Sequence, residues 1–318
     1  MARPVGRFAP TPSGYLHLGN LFCSLIAWLA AKSRGGEIIL RNEDLDVERS
    51  RPEYVLQAQR DLDALGLFWD QGGDKGGPHS PYGQSQRFDF YRVQLEKLEA
   101  QGRVYPCFCS RAQLHAASAP HASDGELLYN GACRDLTPEQ VAEKSSARSP
   151  ALRLQVPEET IAFTDLHYGP QAQHLPTGCG DFILRRSDGV YAYQLAVVAD
   201  DGAMGVTQVV RGRDLLSSTP RQILLYRLLG YPVPEFGHTP LLLASDGRRL
   251  SKRDGDQSLS GILSRGYSPR DVVGGLAYLG GLLPEPAPAW PEELLPLFAW
   301  KKLPREDIPL PEGMFGLR

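Results

Sequence analysis

Residues 5–40 constrain the fold more than any other stretch. A short apolar strand, VGRF, runs through the turn-rich APTPSG into an almost uninterrupted apolar helix at about 21–31, and a second strand, EIIL, follows at 37–40. A helix that is apolar on most of its faces is stable only when buried on most sides, so it must sit between a sheet and a further layer. Two strands joined by such a crossover lie parallel. The pattern then repeats. Ser50 and Pro52 read as the cap and first turn of an amphipathic helix reaching Leu65, and another helix, at 88–100, stops at Gly102 before the strand RVYPCFC. Alternating strands and helices predict an α/β fold with a parallel sheet.

From about 110 to 149 the periodicity dissolves into Ala, Ser, His and Pro, which predicts an insertion outside the main sheet. Alternation returns at ALRLQV. FILRRSDGVYAYQLA reads as a hairpin turning on Ser187, Asp188 and Gly189 and leading into a helix; the strand VTQVVRG and a helix from about Thr219 and Pro220 to Gly230 follow. After Lys252 the chain reads as helical and then proline-rich. There is no internal repeat.

Composition narrows the class. With 42% hydrophobic and 22% charged residues the 318-residue chain is globular, and the apolar run at 21–31 is far shorter than the ~20 residues that span a bilayer. The N-terminus lacks the pattern of an export signal, so the expected location is the cytoplasm. Five cysteines in a reducing compartment argue against a disulfide framework. Three of them cluster as Cys107-x-Cys109 and, further on, Cys133, with Tyr129, His115 and His121 nearby; three thiolates and one more ligand suit a structural zinc. Cys23 and Cys179 read as plain small residues. A net charge of −3 provides no general positive field, so any nucleic-acid role must rest on a local surface.

Two motifs carry the chemistry. In RFAPTPSGYLHLGN, residues 7–20, a strand ends in a turn and a helix begins, which offers unpaired backbone N–H groups and a partial positive charge to a phosphate, with His17 and Asn20 as side-chain donors and Gly19 permitting close approach. Far downstream, SDGRRLSKRDG places Arg248, Arg249, Lys252 and Arg253 within six residues. Alone, the first is more often a structural turn and the second a solvated loop. The chain holds no G-x-G-x-x-G and no Walker A sequence, which speaks against a nicotinamide dehydrogenase on the same kind of sheet.

Together, HxGN and RLSKR closely resemble the HIGH and KMSKS signatures of class I aminoacyl-tRNA synthetases. RFAPTPSGYLHLGN, RNEDLD at 41–46, YQLAVVADD at 193–201 and VVRGRDLL at 209–216 resemble the glutamyl branch of that class, in its order, over residues 3 to about 255. The resemblance implies a Rossmann-type catalytic core split into 1–105 and 181–255, an insertion at 106–180 with the zinc site and an acceptor-like region, and a short helical C-terminal region at 256–318. It implies a glutamate pocket of Arg7 for the side-chain carboxylate and Glu43 for the ammonium, completed by Ala9, Thr11, Tyr193 and Arg211. Two carboxylates and one ammonium call for two guanidinium groups and one acid. Contacts to ATP fall to His17, Gly19, Asn20, Arg249 and Lys252, with His17 and Lys252 catalytic and Mg²⁺ accompanying the ATP. Tyr129 is implied as the fourth zinc ligand beside Cys107, Cys109 and Cys133. Two positions depart from the signatures: RLSKR has Arg249 and Arg253 where KMSKS has Lys and Ser, and Asn20 stands at the last position of HIGH.

Only 66 residues follow Lys252 (318 − 252), fewer than the anticodon-reading domains of the long members need. The expectation is the short subgroup, which activates L-glutamate with ATP in the absence of tRNA and attaches it to the queuosine base in the anticodon loop of tRNA(Asp), here as a monomer. A truncated glutamyl-tRNA synthetase charging a tRNA 3′ end, and an inactive paralogue that only binds RNA, are the alternatives.

Overall fold

A computed structural model describes residues 3–110, 128–248, 250 and 257–317. Strand β1 (Val5–Phe8) and β2 (Glu37–Leu40) pair in parallel, Val5 opposite Glu37 and Phe8 opposite Leu40, and β3 (Gln71–Gly72) extends the sheet beyond β2. The crossover is helix α1 (Leu18–Lys32), with ten of its fifteen residues buried, as an all-round apolar helix requires. Each of its fully buried Leu, Ile and Phe side chains contributes roughly 1.5–3 kcal/mol of transfer free energy. Gly36, between α1 and β2, is fixed by space: a Cβ there would lie 2.3 Å from the Pro4 carbonyl oxygen. Helices α2 (Pro52–Ala64) and α3 (Phe88–Ala100) follow.

The second parallel pair, β9 (Gln208–Gly212) and β10 (Glu235–Thr239), abuts β1, where the Thr207 N–H donates to the Val5 carbonyl at 2.9 Å. Between the halves, β4 (Val104–Cys107), β5 (Ala151–Leu154) and β8 (Phe182–Arg185) form an antiparallel sheet, and β6 (Thr160–Asp165) pairs with β7 (Gly169–His174) as a hairpin. Helices at Tyr193–Ala203 and Thr219–Leu229 cover the second half. One core gathers around α1 and the helix Pro269–Leu279; a second joins α3, the antiparallel strands and the helices of the second half. Among the described residues no helix is long and apolar enough to cross a membrane.

Five local details go beyond or differ from the sequence reading. Helix α1 starts at Leu18, three residues early, because His17 caps it. Ser50 is not the cap of α2: its N–H closes a turn onto the Asp46 carbonyl, so Arg51 takes the cap position and Pro52 the first turn. Within the stretch read as aperiodic, Pro138–Ala147 is a helix started by a reciprocal Thr137–Gln140 capping box, a T-x-x-Q signal present in the sequence. The hairpin at 182–191 forms, but its second arm is a single bridge, Arg185 to Tyr191. The proline-rich tail also returns to the core, Ile308–Pro309 pairing in parallel with Leu242–Leu243.

Candidate active site

The C-terminal ends of β1, β2 and β9, the start of α1 and the start of the helix at Tyr193 converge on a cavity of about 370 Å³. Its lining includes Arg7, Ala9, Thr11, Asn20, Glu43, Tyr193 and Arg211, so residues about 200 positions apart meet at one site. Of the residues expected to bind glutamate, all six are here.

Behind the cavity lies a cluster of buried charges. Arg41 is fully buried and pairs with Asp201 at 2.6 Å, Glu43 at 3.0 Å and Asp200 at 3.7 Å. Asp201 also takes Arg7 Nε at 3.5 Å, and Asp200 takes Arg87 at 2.7 Å together with Gln84 at 2.8 Å and Tyr91 at 2.7 Å. Three guanidinium groups, Arg7, Arg41 and Arg87, thus face three carboxylates, Glu43, Asp200 and Asp201. Burial pushes the Asp201 carboxyl up, but Arg41 and Arg7 more than offset it and hold it below the usual range. Arg7 and Glu43 are therefore not paired with each other: Glu43 leans on Arg41 and Arg7 on Asp201. Arg41 and the Asp200–Asp201 pair were missed as site residues, although RNEDLD and VVADD contain them.

Three features of this arrangement look outward to a ligand. Arg7 Nη1 donates to the Val210 carbonyl at 2.7 Å, and Nη2 has no partner among the described residues. Glu43 uses one oxygen for Arg41; burial, partly relieved by Arg41, lifts its carboxyl above the usual range, which an incoming cation would reverse. Arg211 is buried and is held by Gln222 at 2.7 Å, Thr219 at 2.9 Å, the Leu215 carbonyl at 3.2 Å and His238 Nε2 at 3.0 Å, all of them neutral. Among the described residues it forms no ion pair, and burial sets its guanidinium below its ordinary value, whereas the paired Arg41 is raised. The Cys23 thiol on the same wall is pushed up to about 11 by burial, so it is no nucleophile at neutral pH.

At the start of α1, His17 Nδ1 accepts the Gly19 N–H at 3.1 Å and the Asn20 side chain accepts the His17 N–H at 3.2 Å, a reciprocal cap that puts the ring proton on Nε2. A Cβ on Gly19 would crowd the His17 imidazole at 3.0 Å, so glycine leaves the capping ring its room. Of the described residues near the cationic segment in sequence, Leu250 belongs to the apolar core that includes α1, and Ser258 bridges to His17. Arg249, Lys252 and Arg253 lie outside the described residues, as do His115 and His121.

The cysteine cluster closes as expected from its spacing. The sulfurs of Cys107, Cys109 and Cys133 lie within 4.8 Å of one another, with Cys109 to Cys133 at 3.7 Å and Cys109 Sγ to Tyr129 Oη at 3.8 Å. A tetrahedron with Zn–S bonds of about 2.3 Å has edges of about 3.8 Å, so this donor set fits zinc. The Arg153 guanidinium stacks 3.9 Å over the Tyr129 ring and steadies it. A second, larger cleft of about 1250 Å³, lined by Phe163, Tyr168, Arg213, Ser218 and Arg305 among others, shares Tyr193 and Leu215 with the first cavity.

Residues 5–285 match the family described as tRNA synthetases class I (E and Q), catalytic domain. The chain is 58% identical over 310 residues to the glutamyl-Q tRNA(Asp) synthetase of Symbiobacterium thermophilum, covering 96% of this chain and 95% of that protein. To the glutamate–tRNA ligase of the same organism it is 43% identical over 278 residues, covering 86% of this chain and 57% of that ligase. Among solved structures, the glutamate–tRNA synthetase of Elizabethkingia anophelis superposes with a TM-score of 0.84 at 28% identity, over 99% of this chain and 69% of that one. The parallel core, the HxGN turn and the match across nearly the whole sequence make this chain a ligase of the class I tRNA synthetase (E and Q) family.

Proposed function

We propose that this ligase activates L-glutamate with ATP, without tRNA, and transfers it to the queuosine base of tRNA(Asp), as a monomer in the cytoplasm. The observation that carries the glutamate reading is the buried Arg211, which meets no carboxylate among the described residues, across one cavity from Glu43. A ligand with two carboxylates and one ammonium supplies what these groups lack: Arg7 and Arg211 take the carboxylates, Glu43 the ammonium, and Ala9, Thr11 and Tyr193 close the pocket. The choice of acceptor follows the relatives, since one organism's glutamyl-Q tRNA(Asp) synthetase is closer to this chain than its glutamate–tRNA ligase, 58% against 43%.

In the first step an oxygen of the glutamate α-carboxylate attacks the α-phosphorus of ATP and pyrophosphate leaves. A hydroxyl of the queuosine ring then attacks the acyl carbon of the mixed anhydride, and AMP leaves. The protein contributes alignment and charge stabilisation rather than a covalent nucleophile. His17, Gly19 and Asn20 at the α1 N-terminus hold phosphate oxygens with Arg249 and Lys252, and Mg²⁺ accompanies the ATP. The acceptor nucleoside enters by the larger cleft, which opens onto the amino-acid pocket at Tyr193 and Leu215. Cys107, Cys109, Cys133 and Tyr129 hold a zinc whose part is structural, joining the end of β4 to the segment around Cys133.

The test is transfer of labelled glutamate to tRNA(Asp) with and without queuosine, beside tRNA(Glu). Label that requires queuosine supports the reading. Label esterified to a 3′ adenosine favours a truncated glutamyl-tRNA synthetase, and no adenylate at all favours an RNA-binding paralogue.

A further inference from the structure

The parallel register of β9 and β10 sets Arg211 directly beside His238. The two side chains and Asp165, from the end of β6, form one buried chain. Arg211 Nε donates to His238 Nε2 at 3.0 Å, and His238 Nδ1 meets Asp165 Oδ2 at 2.6 Å, with both His238 and Asp165 side chains fully buried. The other Asp165 oxygen, Oδ1, accepts the N–H groups of His167 at 2.9 Å and Tyr168 at 2.8 Å. An arginine has no acceptor, so His238 Nε2 must be unprotonated, and the ring proton stands on Nδ1, donated to the carboxylate.

We propose that His238 and Asp165 are positioning residues for the amino-acid pocket: Asp165 fixes the Nδ1–H tautomer of His238, and His238 orients the Arg211 guanidinium without neutralising it. The proposal rests on the reading of Arg211 as an amino-acid contact. A carboxylate directly against Arg211 would orient it equally well, but would form the ion pair that the incoming substrate must replace. A neutral imidazole supplies a directed acceptor and leaves the charge to the ligand. Burial and the nearby Arg211 and Arg7 keep His238 neutral; its ring is pushed down to about 4 although Asp165 pulls it up. Asp165 also links the hairpin that lines the larger cleft to the floor of the small one, because β6 and β7 contribute Phe163 and Gln171 to that cleft.

The geometry sets a demanding test. In Asp165→Asn the amide oxygen must stay on the His167 and Tyr168 N–H groups, so the NH₂ turns toward His238 Nδ1. Nδ1 must then accept, the ring proton moves to Nε2, and an N–H opposes the Arg211 N–H. An isosteric change two side chains from the ligand should therefore raise the KM for glutamate by about tenfold or more in pyrophosphate exchange, as loss of a hydrogen bond to a charged group does. The KM for ATP should stay within about twofold, and His238→Ala should behave alike. Long-range ¹H–¹⁵N spectra of the histidine-labelled protein should show Nδ1 protonated in the wild type and Nε2 protonated in D165N, which reads the tautomer directly, while the split between the glutamate and ATP KM values separates positioning from a merely structural role. A wild-type ring protonated at Nε2 overturns the proposal. So does an unmoved glutamate KM in D165N when Arg211→Ala raises it. If Arg211→Ala itself leaves glutamate KM unchanged, the reading of the pocket falls and this proposal with it.

Discussion

Replacing Asp201 by Asn removes one charge from the balanced cluster of three guanidinium groups and three carboxylates while keeping its shape. Asp201 is 1% exposed and serves Arg41 at 2.6 Å, Arg7 at 3.5 Å and Tyr226 at 3.2 Å. Arg41 keeps Glu43 and Asp200, so it is not orphaned. Among the described residues Arg7 keeps only the Val210 carbonyl. A unit charge pair about 4 Å apart is worth ~4 kcal/mol at an effective dielectric of about 20, and breaking a buried pair by removing one partner costs about 3–5 kcal/mol. D201N should thus lose about 3–5 kcal/mol in urea unfolding with an unchanged slope, and its melting temperature should fall by several degrees. Arg41→Met in the same background removes the surplus cation and leaves two charges of each sign. The double variant should therefore be more stable than the sum of the single losses by about 2 kcal/mol or more. A single loss below about 1 kcal/mol, or strict additivity, refutes the balanced-cluster argument.

Other perturbations probe other parts. Cys109→Ser should reduce bound zinc from one equivalent to near none by elemental analysis, with faster amide exchange confined to the segments around β4 and Cys133; retained zinc rejects the donor set. Lys252→Ala should lower glutamate-dependent pyrophosphate exchange by about 10²-fold or more, the loss typical of a charge-stabilising group, whereas a near-normal rate removes Lys252 from the chemistry. Asp61, buried in α2, has its carboxyl pushed up to about 6 by burial, against an ordinary value of 3.8. The folded protein therefore binds this proton more tightly than the unfolded chain, and the associated stability is full below about pH 4 and lost as pH rises through about 6. Asp61→Asn should stabilise the protein at pH 7 by roughly 1–3 kcal/mol and make no difference near pH 4; equal curves at both pH values dismiss the assignment.

The apolar helix at 21–31 was enough to read the parallel core, because a helix with no polar face has only one class of environment. The cysteine spacing likewise foretold a site that closes to zinc dimensions. The pocket residues Arg7, Glu43, Tyr193 and Arg211 were placed by resemblance rather than by periodicity, and the structure gathers them in one cavity. What the chain did not disclose is partner choice. Arg7, Arg41 and Arg87 could each have met any of three acids, and only the sheet order and the helix carrying Asp200 and Asp201 decide which pairs form. His238 illustrates the same limit: in EFGHT it looks like any strand residue, and its role emerges from the register that puts it beside Arg211. The helix at Pro138–Ala147 was legible in its T-x-x-Q cap and was missed because apolar periodicity is weak in a helix with no buried residue.

The family to which the chain belongs serves both glutamate and glutamine, so the fold alone cannot decide between an acid and its amide. The decision must rest on charge. Among the described residues, with Arg7, Arg41, Arg87 and Arg211 against Glu43, Asp200 and Asp201, the groups in this linked cluster and on Arg211 sum to one positive charge, and Asp165 reaches Arg211 through a neutral imidazole. Glutamate brings one net negative charge and closes the balance. Glutamine brings none, and would leave one buried guanidinium facing an amide that offers a single acceptor and an unwelcome donor. A site that must desolvate a charge discriminates strongly against a ligand that cannot pair it, by more than a pocket that merely counts atoms. On this argument the buried charges are the device that selects the acid, and the positions that fix Arg211 without neutralising it matter as much to selection as the residues that touch the ligand.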